Sequence, residues 1–62
     1  MTQKELLYIE DAIGHENNMI SILKDTISNL TDKSLVNFLK NELKKHETLK
    51  EKLMNKLESE SK

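Results

Sequence analysis

Several residue types are missing from this 62-residue sequence, and each absence excludes a class of structure. It contains no cysteine, no proline and no arginine, and it has one glycine and two aromatic residues. Without cysteine the chain can form neither disulfides nor the usual cysteine-ligated zinc sites. With no proline and one glycine it has few residues that interrupt helices, so we expect an all-α chain.

The absence of arginine bears on nucleic-acid binding. All ten basic residues are lysines, and the net charge is −1. Lysine lacks the planar fork with which arginine contacts phosphate and guanine in a bidentate manner, so we expect no nucleic-acid partner. The charge is divided unevenly: residues 1–30 carry −3 and residues 31–62 carry +2. This division favours packing of the two halves against each other.

Long apolar runs are also missing. No segment approaches the roughly 20 apolar residues of a membrane-spanning helix. The segment Met1–Glu5 lacks the basic start and apolar core of a signal peptide. We therefore expect a soluble, cytoplasmic protein that does not bind membranes.

The sequence pattern predicts two helices. Thr2 and Glu5 fit a capping box, and the first helix is predicted over about residues 3–30. The segment 28–34 is the one break, where Thr31 or Asp32 can cap a second helix over about residues 33–58. Both helices have an apolar stripe. In the first helix, the apolar residues follow one another at alternating spacings of three and four. Residues 59–62 are expected to form a frayed tail.

The short connection predicts an antiparallel two-helix hairpin that forms a single domain over residues 1–62. Two helices cannot enclose a core, so we expect the hairpin to form a twofold homodimer with a four-helix bundle. Each helix has a second stripe beside the first, and these second stripes are the predicted dimer interface: Tyr8, Ala12, His15, Met19, Ile22, Val36, Leu43 and Met54.

Three polar residues interrupt the main apolar stripes. In the second helix Glu42 and His46 fall within the leucine stripe of Leu35, Leu39, Leu49, Leu53 and Leu57, and in the first helix Glu16 interrupts the isoleucine and leucine repeat. A hairpin that turns near residue 31 pairs positions whose numbers sum to about 62, which places Glu16 opposite His46. We interpret these residues as a structural polar layer that fixes the helix register and the number of partners. The alternative, which the residues leave open, is a metal site.

The hairpin with Glu16 on one helix and Glu42 and His46 on the other resembles half of a ferritin-like domain. The segment Tyr8–Glu16, together with His46, is similar to the small ferritin-like proteins of the spore coat F type. The resemblance implies a di-iron or di-manganese bundle and a possible spore location. A twofold dimer would supply four glutamates and two histidines. The ferritin-like pattern has Glu-x-x-His, however, whereas here position 45 is lysine and His46 stands four residues after Glu42.

These observations favour a small, non-enzymatic structural, assembly or protein-interaction module that acts as a homodimer and resembles spore-coat proteins. No nucleophilic side chain is paired in the sequence with a residue that would act as its general base, and there is no glycine-rich phosphate loop. Two alternatives remain. One is a ferritin-like bundle that binds Fe or Mn through Glu16, Glu42 and His46. The other is a regulatory protein that presents an amphipathic helix to a different partner.

Overall fold

The computed structural model describes residues 1–60, which form two α-helices and contain no strand. Helix α1 comprises Gln3–Ser28 and helix α2 comprises Lys33–Glu60. The helices pack against each other in a rod with extents of 45 × 14 × 12 Å. The amino group of Met1 lies 3.5 Å from the carboxylate of Glu60, so α2 ends beside the start of α1. The predicted antiparallel hairpin is therefore present.

Helix α1 begins with the predicted capping box. The hydroxyl of Thr2 accepts a hydrogen bond from the backbone N–H of Glu5 at 3.1 Å. The backbone N–H of Thr2 donates to Oε1 of Glu5 at 2.8 Å. This second bond stabilises the ionised carboxylate and lowers the pKa of Glu5. Two backbone donors that lie beyond the helical ladder are thus satisfied by side chains.

The connection between the helices comprises residues 29–32. Helix α1 ends at Ser28, two residues before the predicted end, because the N–H of Asn29 donates to the carbonyl of Thr26 and tightens the last turn. Asp32 caps α2 by accepting from the N–H of Leu35 at 2.9 Å. Helix α2 continues through Glu60, two residues beyond its predicted end. The rest of the predicted frayed tail, residues 61–62, lies outside the described residues.

Helix α1 faces α2 with the stripe that the sequence predicts. Its central members, Glu16, Ile20 and Leu23, are buried. The apolar members on either side of them are half-buried, and all share the alternating spacing of three and four: Leu6, Ile9, Ile13 and Ile27. These are the a and d positions of a heptad repeat, which is the pattern of helices packed along their length.

Helix α2 faces α1 with a different stripe from the predicted one. Leu35 and Leu49 are 45% and 46% exposed, so their predicted membership of the packed leucine stripe is wrong. The half-buried positions with unbroken three and four spacing are Val36, Leu39, Leu43, His46, Lys50, Leu53 and Leu57. Val36 and Leu43 were predicted in the dimer interface, but they occupy the a positions of this stripe. The sequence hides the stripe because Lys50 interrupts it; its aliphatic stem can lie between helices while the ammonium stays in water.

The hairpin encloses little core. Among residues 1–60, only Glu16, Ile20 and Leu23 are buried, and all three belong to α1. The accessible surface is 4874 Å². A compact monomer of this mass, 7.2 kDa, exposes about 4,100 Å². The single hairpin therefore has a larger accessible surface than a compact monomer of the same mass.

None of the helices in the described residues combines the length and the apolarity needed to cross a membrane.

Candidate functional site

The most buried residue of the described chain is a carboxylate. The Glu16 side chain is 5% exposed, and Nδ1 of His46 lies 2.8 Å from its Oε1 and 3.1 Å from its Oε2. The contact joins α1 to α2 across a separation of 30 residues. The sequence predicted this pairing from the position of the turn, and the structure brings the two residues together.

The donor and acceptor roles of the pair follow from its chemistry. An ionised carboxylate only accepts hydrogen bonds, so Nδ1–H of His46 donates to Glu16. Nε2 of His46 is then either the acceptor nitrogen of a neutral ring or the second donor of an imidazolium. No buried side-chain oxygen or nitrogen among residues 1–60 is left without a partner. The pair thus satisfies a buried carboxylate that would otherwise be costly to desolvate.

Glu42, the third predicted member of the layer, is not part of this contact. Its carboxylate lies 3.3 Å from Nζ of Lys45, and its side chain is one-third exposed. Lys45 occupies the position where the ferritin-like pattern has histidine. Within residues 1–60 there is no group of three His, Asp or Glu side chains placed to hold a metal ion. A metal at Glu16 and His46 would therefore need further ligands, from a second chain or from water.

The exposed apolar side chains lie mainly beside the packed stripes. On α1 they occupy the c and g positions of the heptad repeat, and on α2 they again occupy c and g. We call the apolar side chains at these positions the apolar face; Tyr8, Ile22, Leu35, Phe38 and Leu49 are exposed, and Ala12 and Met19 are half-buried. Tyr8 and Phe38 are the most exposed, at 60% and 54%.

The two strips form one continuous face because the helices are antiparallel. Helical periodicity of about 100° per residue places c and g on the same flank of each a/d stripe. When two antiparallel helices pack through their a/d stripes, the c/g flanks of both helices lie on the same side of the hairpin. His15 and Glu42 also lie on this side, between the apolar residues of their helices. Of the predicted interface residues, Tyr8, Ala12, His15, Met19 and Ile22 belong to this side.

The other side of the hairpin, formed by the e and b positions, is mostly polar. We call it the polar face; its members include Asn17, Ser21, Lys24, Asn37, Lys40, Lys44, Glu47 and Glu51. Leu7 and Met54 are its exposed apolar residues. Met54 was predicted in the interface, but it lies on this face because the packed stripe of α2 differs from the predicted one.

Leu35, Phe38 and Leu49 are the members of the apolar face that the sequence analysis missed. The signal that could have found them is the unbroken spacing of three and four from Val36 to Leu57, which places Leu35 and Leu49 at g and Phe38 at c. The leucine stripe used for the prediction needs an irregular step at its end. The regular stripe has no such step, but it requires a lysine, Lys50, at a packed position.

The outer surface of α2 has a shallow open depression. It is lined by residues of this helix alone: Asn41, Lys44, Lys45, Thr48, Leu49 and Lys52. No second element stands over it, so nothing there surrounds a small molecule in the manner of the concave sites that bind ligands.

Comparison with protein-family models, with curated proteins and with solved structures finds no match for this chain. The resemblance to the spore coat F type and the ferritin-like metal role therefore stay predictions.

Proposed function

We propose that this chain is a small, non-enzymatic structural or assembly module that acts as a homodimer of helical hairpins. The observation that carries the proposal is the apolar face. Large side chains such as Ile22, Phe38 and Leu49 lie about half in water along one side of the rod. A contiguous exposed patch of this kind is typical of a protein-binding surface.

The amount of exposed surface supports a second copy of the chain as the partner. The hairpin exposes roughly 770 Å² more than a compact monomer of its mass. A standard protein–protein interface buries roughly 800 Å² on each partner. Association of two hairpins through the apolar face would therefore bury, on each chain, about as much surface as the hairpin exposes in excess of a compact monomer. It would also produce the four-helix bundle whose closed core a single hairpin lacks.

In this proposal the Glu16–His46 pair has a structural role. It lies midway along the hairpin and links the two helices through a bond from Nδ1 to both carboxylate oxygens. A polar contact inside an apolar seam disfavours other alignments, because each of them would leave the Glu16 carboxylate without its partner.

Sedimentation equilibrium combined with circular dichroism tests the proposal. We expect a dimer at micromolar concentration, and loss of helicity on dilution together with dissociation. A fully helical monomer at that concentration would overturn the homodimer. That result would favour the regulatory alternative, in which the apolar face binds a helix of a different protein.

A second candidate function, metal binding, is favoured by the Glu16–His46 contact. Histidine ligands commonly donate their second ring N–H to a carboxylate, which orients the other nitrogen toward the metal. A dimer would double the pair and bring Glu42 from two chains to the bundle. Fe²⁺ and Mn²⁺ are the ions that the ferritin-like resemblance implies.

Thermal melting with Fe²⁺, Mn²⁺ or Zn²⁺ tests this second candidate. Binding to the folded state raises the melting temperature. The matched control is His15→Gln, which removes the exposed histidine, beside His46→Gln, which removes the paired one. A shift abolished by His46→Gln alone would support the site, and no shift with any of the three ions would reject it.

A further inference from the structure

Charge is distributed unequally between the two helices of the hairpin. Helix α1 contains two lysines and five acidic residues, whereas α2 contains seven lysines and five acidic residues. The difference extends to the c and g positions that form the side of the apolar face. Those of α2 include Glu42 and three lysines, Lys45, Lys52 and Lys56, while those of α1 include Glu5 and no lysine. The face therefore has net positive charge along α2 and little net charge along α1, where Lys4 lies over the ring of Tyr8.

Apolar residues are also distributed unequally along α2. Leu35 and Phe38 lie at the end of the face near the interhelical connection. Lys52 and Lys56 occupy the equivalent positions at the far end. The α2 half of the face thus has an apolar end at the connection and a basic end at the helix termini, where α1 contributes Tyr8.

Two twofold arrangements can join the apolar faces of two hairpins. In the first, the same-end arrangement, both connections lie at the same end of the bundle, and α1 of each chain packs against α2 of the other. In the second, the opposed arrangement, the connections lie at opposite ends, and α1 packs against α1 while α2 packs against α2. The arrangements differ in which charges and which ends of the face meet.

The opposed arrangement is unfavourable on both counts. It places two helices of net charge +2 together and two of net charge −3 together, and like charges at an interface oppose association. With full overlap it also covers Leu35 and Phe38 of each chain with the lysine-rich end of the other. The same-end arrangement brings helices of opposite charge together and joins the two apolar ends.

We propose that the second copy binds with its connection at the same end, so that each α1 packs against the partner's α2. This inference rests on the homodimer of the proposed function. Ile22 and Phe38 of both chains then form one apolar cluster near the connections. Lys52 and Lys56 of each chain lie at the level of Asp11 and Glu5 of the other, because antiparallel positions pair when their numbers sum to about 62.

Distance measurements between spin labels distinguish the two arrangements. The chain has no cysteine, so a single introduced cysteine gives one label per protomer. Thr31→Cys places the label in the connection, and Asn18→Cys places it on an exposed position near the middle of α1. The same-end dimer predicts a distance between Thr31 labels of about 20 Å, the width of a bundle with helix axes 8–10 Å apart plus the labels. The opposed dimer predicts about 40 Å, the length of the helices.

The Asn18 label separates the failure of this inference from the failure of the homodimer. It lies near mid-height, so both arrangements give a distance of about 20–30 Å. Short distances at both positions support the same-end dimer. A short distance at Asn18 with a long one at Thr31 overturns the arrangement while the homodimer stands. No dipolar coupling at either position overturns the homodimer, and the arrangement with it.

Discussion

The apolar and polar faces of the hairpin share the same helices but differ in what their side chains do. Neighbouring residues make the contrast plain: Ser21 and Asn37 lie on the polar face, whereas Ile22 and Phe38, one residue further along, lie on the apolar face. All four are exposed in the single hairpin. Each helix thus has apolar residues on two adjacent flanks, and the hairpin itself covers only one of them.

The largest expected effect comes from placing charges on the apolar face. Ile22→Glu combined with Phe38→Glu would put four carboxylates into the proposed interface of the dimer. Burial of unpaired charges is costly, so we expect the Kd for dimerisation to rise at least about 100-fold, or roughly 3 kcal/mol. Sedimentation equilibrium over a concentration series measures the change.

The matched control introduces the same charges one residue away. Ser21→Glu combined with Asn37→Glu changes the net charge equally, but on the polar face. We expect its Kd to stay within about threefold of the original, since exposed substitutions usually change free energies by about 0.5 kcal/mol. Equal weakening by both double variants would show that net charge, rather than the apolar face, controls association.

Breaking the seam between the helices should have the next largest effect. His46→Leu leaves the Glu16 carboxylate buried without its hydrogen-bond donor. We expect the free energy of unfolding to fall by about 2–3 kcal/mol, the usual penalty for an unpaired buried polar group. Urea denaturation followed by circular dichroism measures the loss.

The double variant Glu16→Leu with His46→Leu is the companion to that experiment. With both polar partners replaced by apolar groups, we expect stability to return to the original value or exceed it. The cycle formed with Glu16→Leu then gives the coupling energy of the pair. If the losses of the two single variants simply added in the double variant, the contact would have no energetic role.

A smaller effect of opposite sign is expected on the polar face. Gly14 lies within α1, and a Cβ added there would meet no atom within 4 Å. Gly14→Ala should therefore raise the free energy of unfolding by up to about 1 kcal/mol, the difference in helix propensity. Denaturation measures the gain, and sedimentation should show an unchanged Kd. A weaker dimer in this variant would place the interface on the wrong face.

The smallest effect concerns pH. The backbone N–H of Thr2 lowers the folded-state pKa of Glu5 by stabilising its carboxylate. Its contribution is fully present above the ordinary pKa of a glutamate and is lost as the pH falls through the lowered value. Melting curves across acidic pH should show less pH dependence in Glu5→Gln than in the original chain. An unchanged profile would mean that the capping box does not contribute to stability in solution.

The sequence was sufficient to predict α1 and the Glu16–His46 contact. Thr2 and Glu5 form a local motif, and the repeat from Leu6 to Ile27 is regular. The contact between helices followed from the short connection alone, because a tight antiparallel turn fixes which positions face each other.

The face of α2 could not be predicted from its leucines. Leu35 and Leu49 lie one position before Val36 and Lys50, and adjacent heptad positions such as g and a differ by only about 100° around the helix. Choosing between them requires knowing that a lysine at position 50 is half-buried. That outcome depends on packing against α1, which the local sequence of α2 does not specify.

The four-residue connection has a further consequence, for the order of folding. Contacts next to it close short loops, and each contact farther away is reached at little extra entropic cost once the inner ones exist. Buried Leu23 lies near the connection, whereas Glu16 and His46 are 30 residues apart in the chain. We therefore expect the hairpin to close from residues 29–32 outward, and rapidly, as local helical contacts do. The polar contact would then form upon helices that are already aligned.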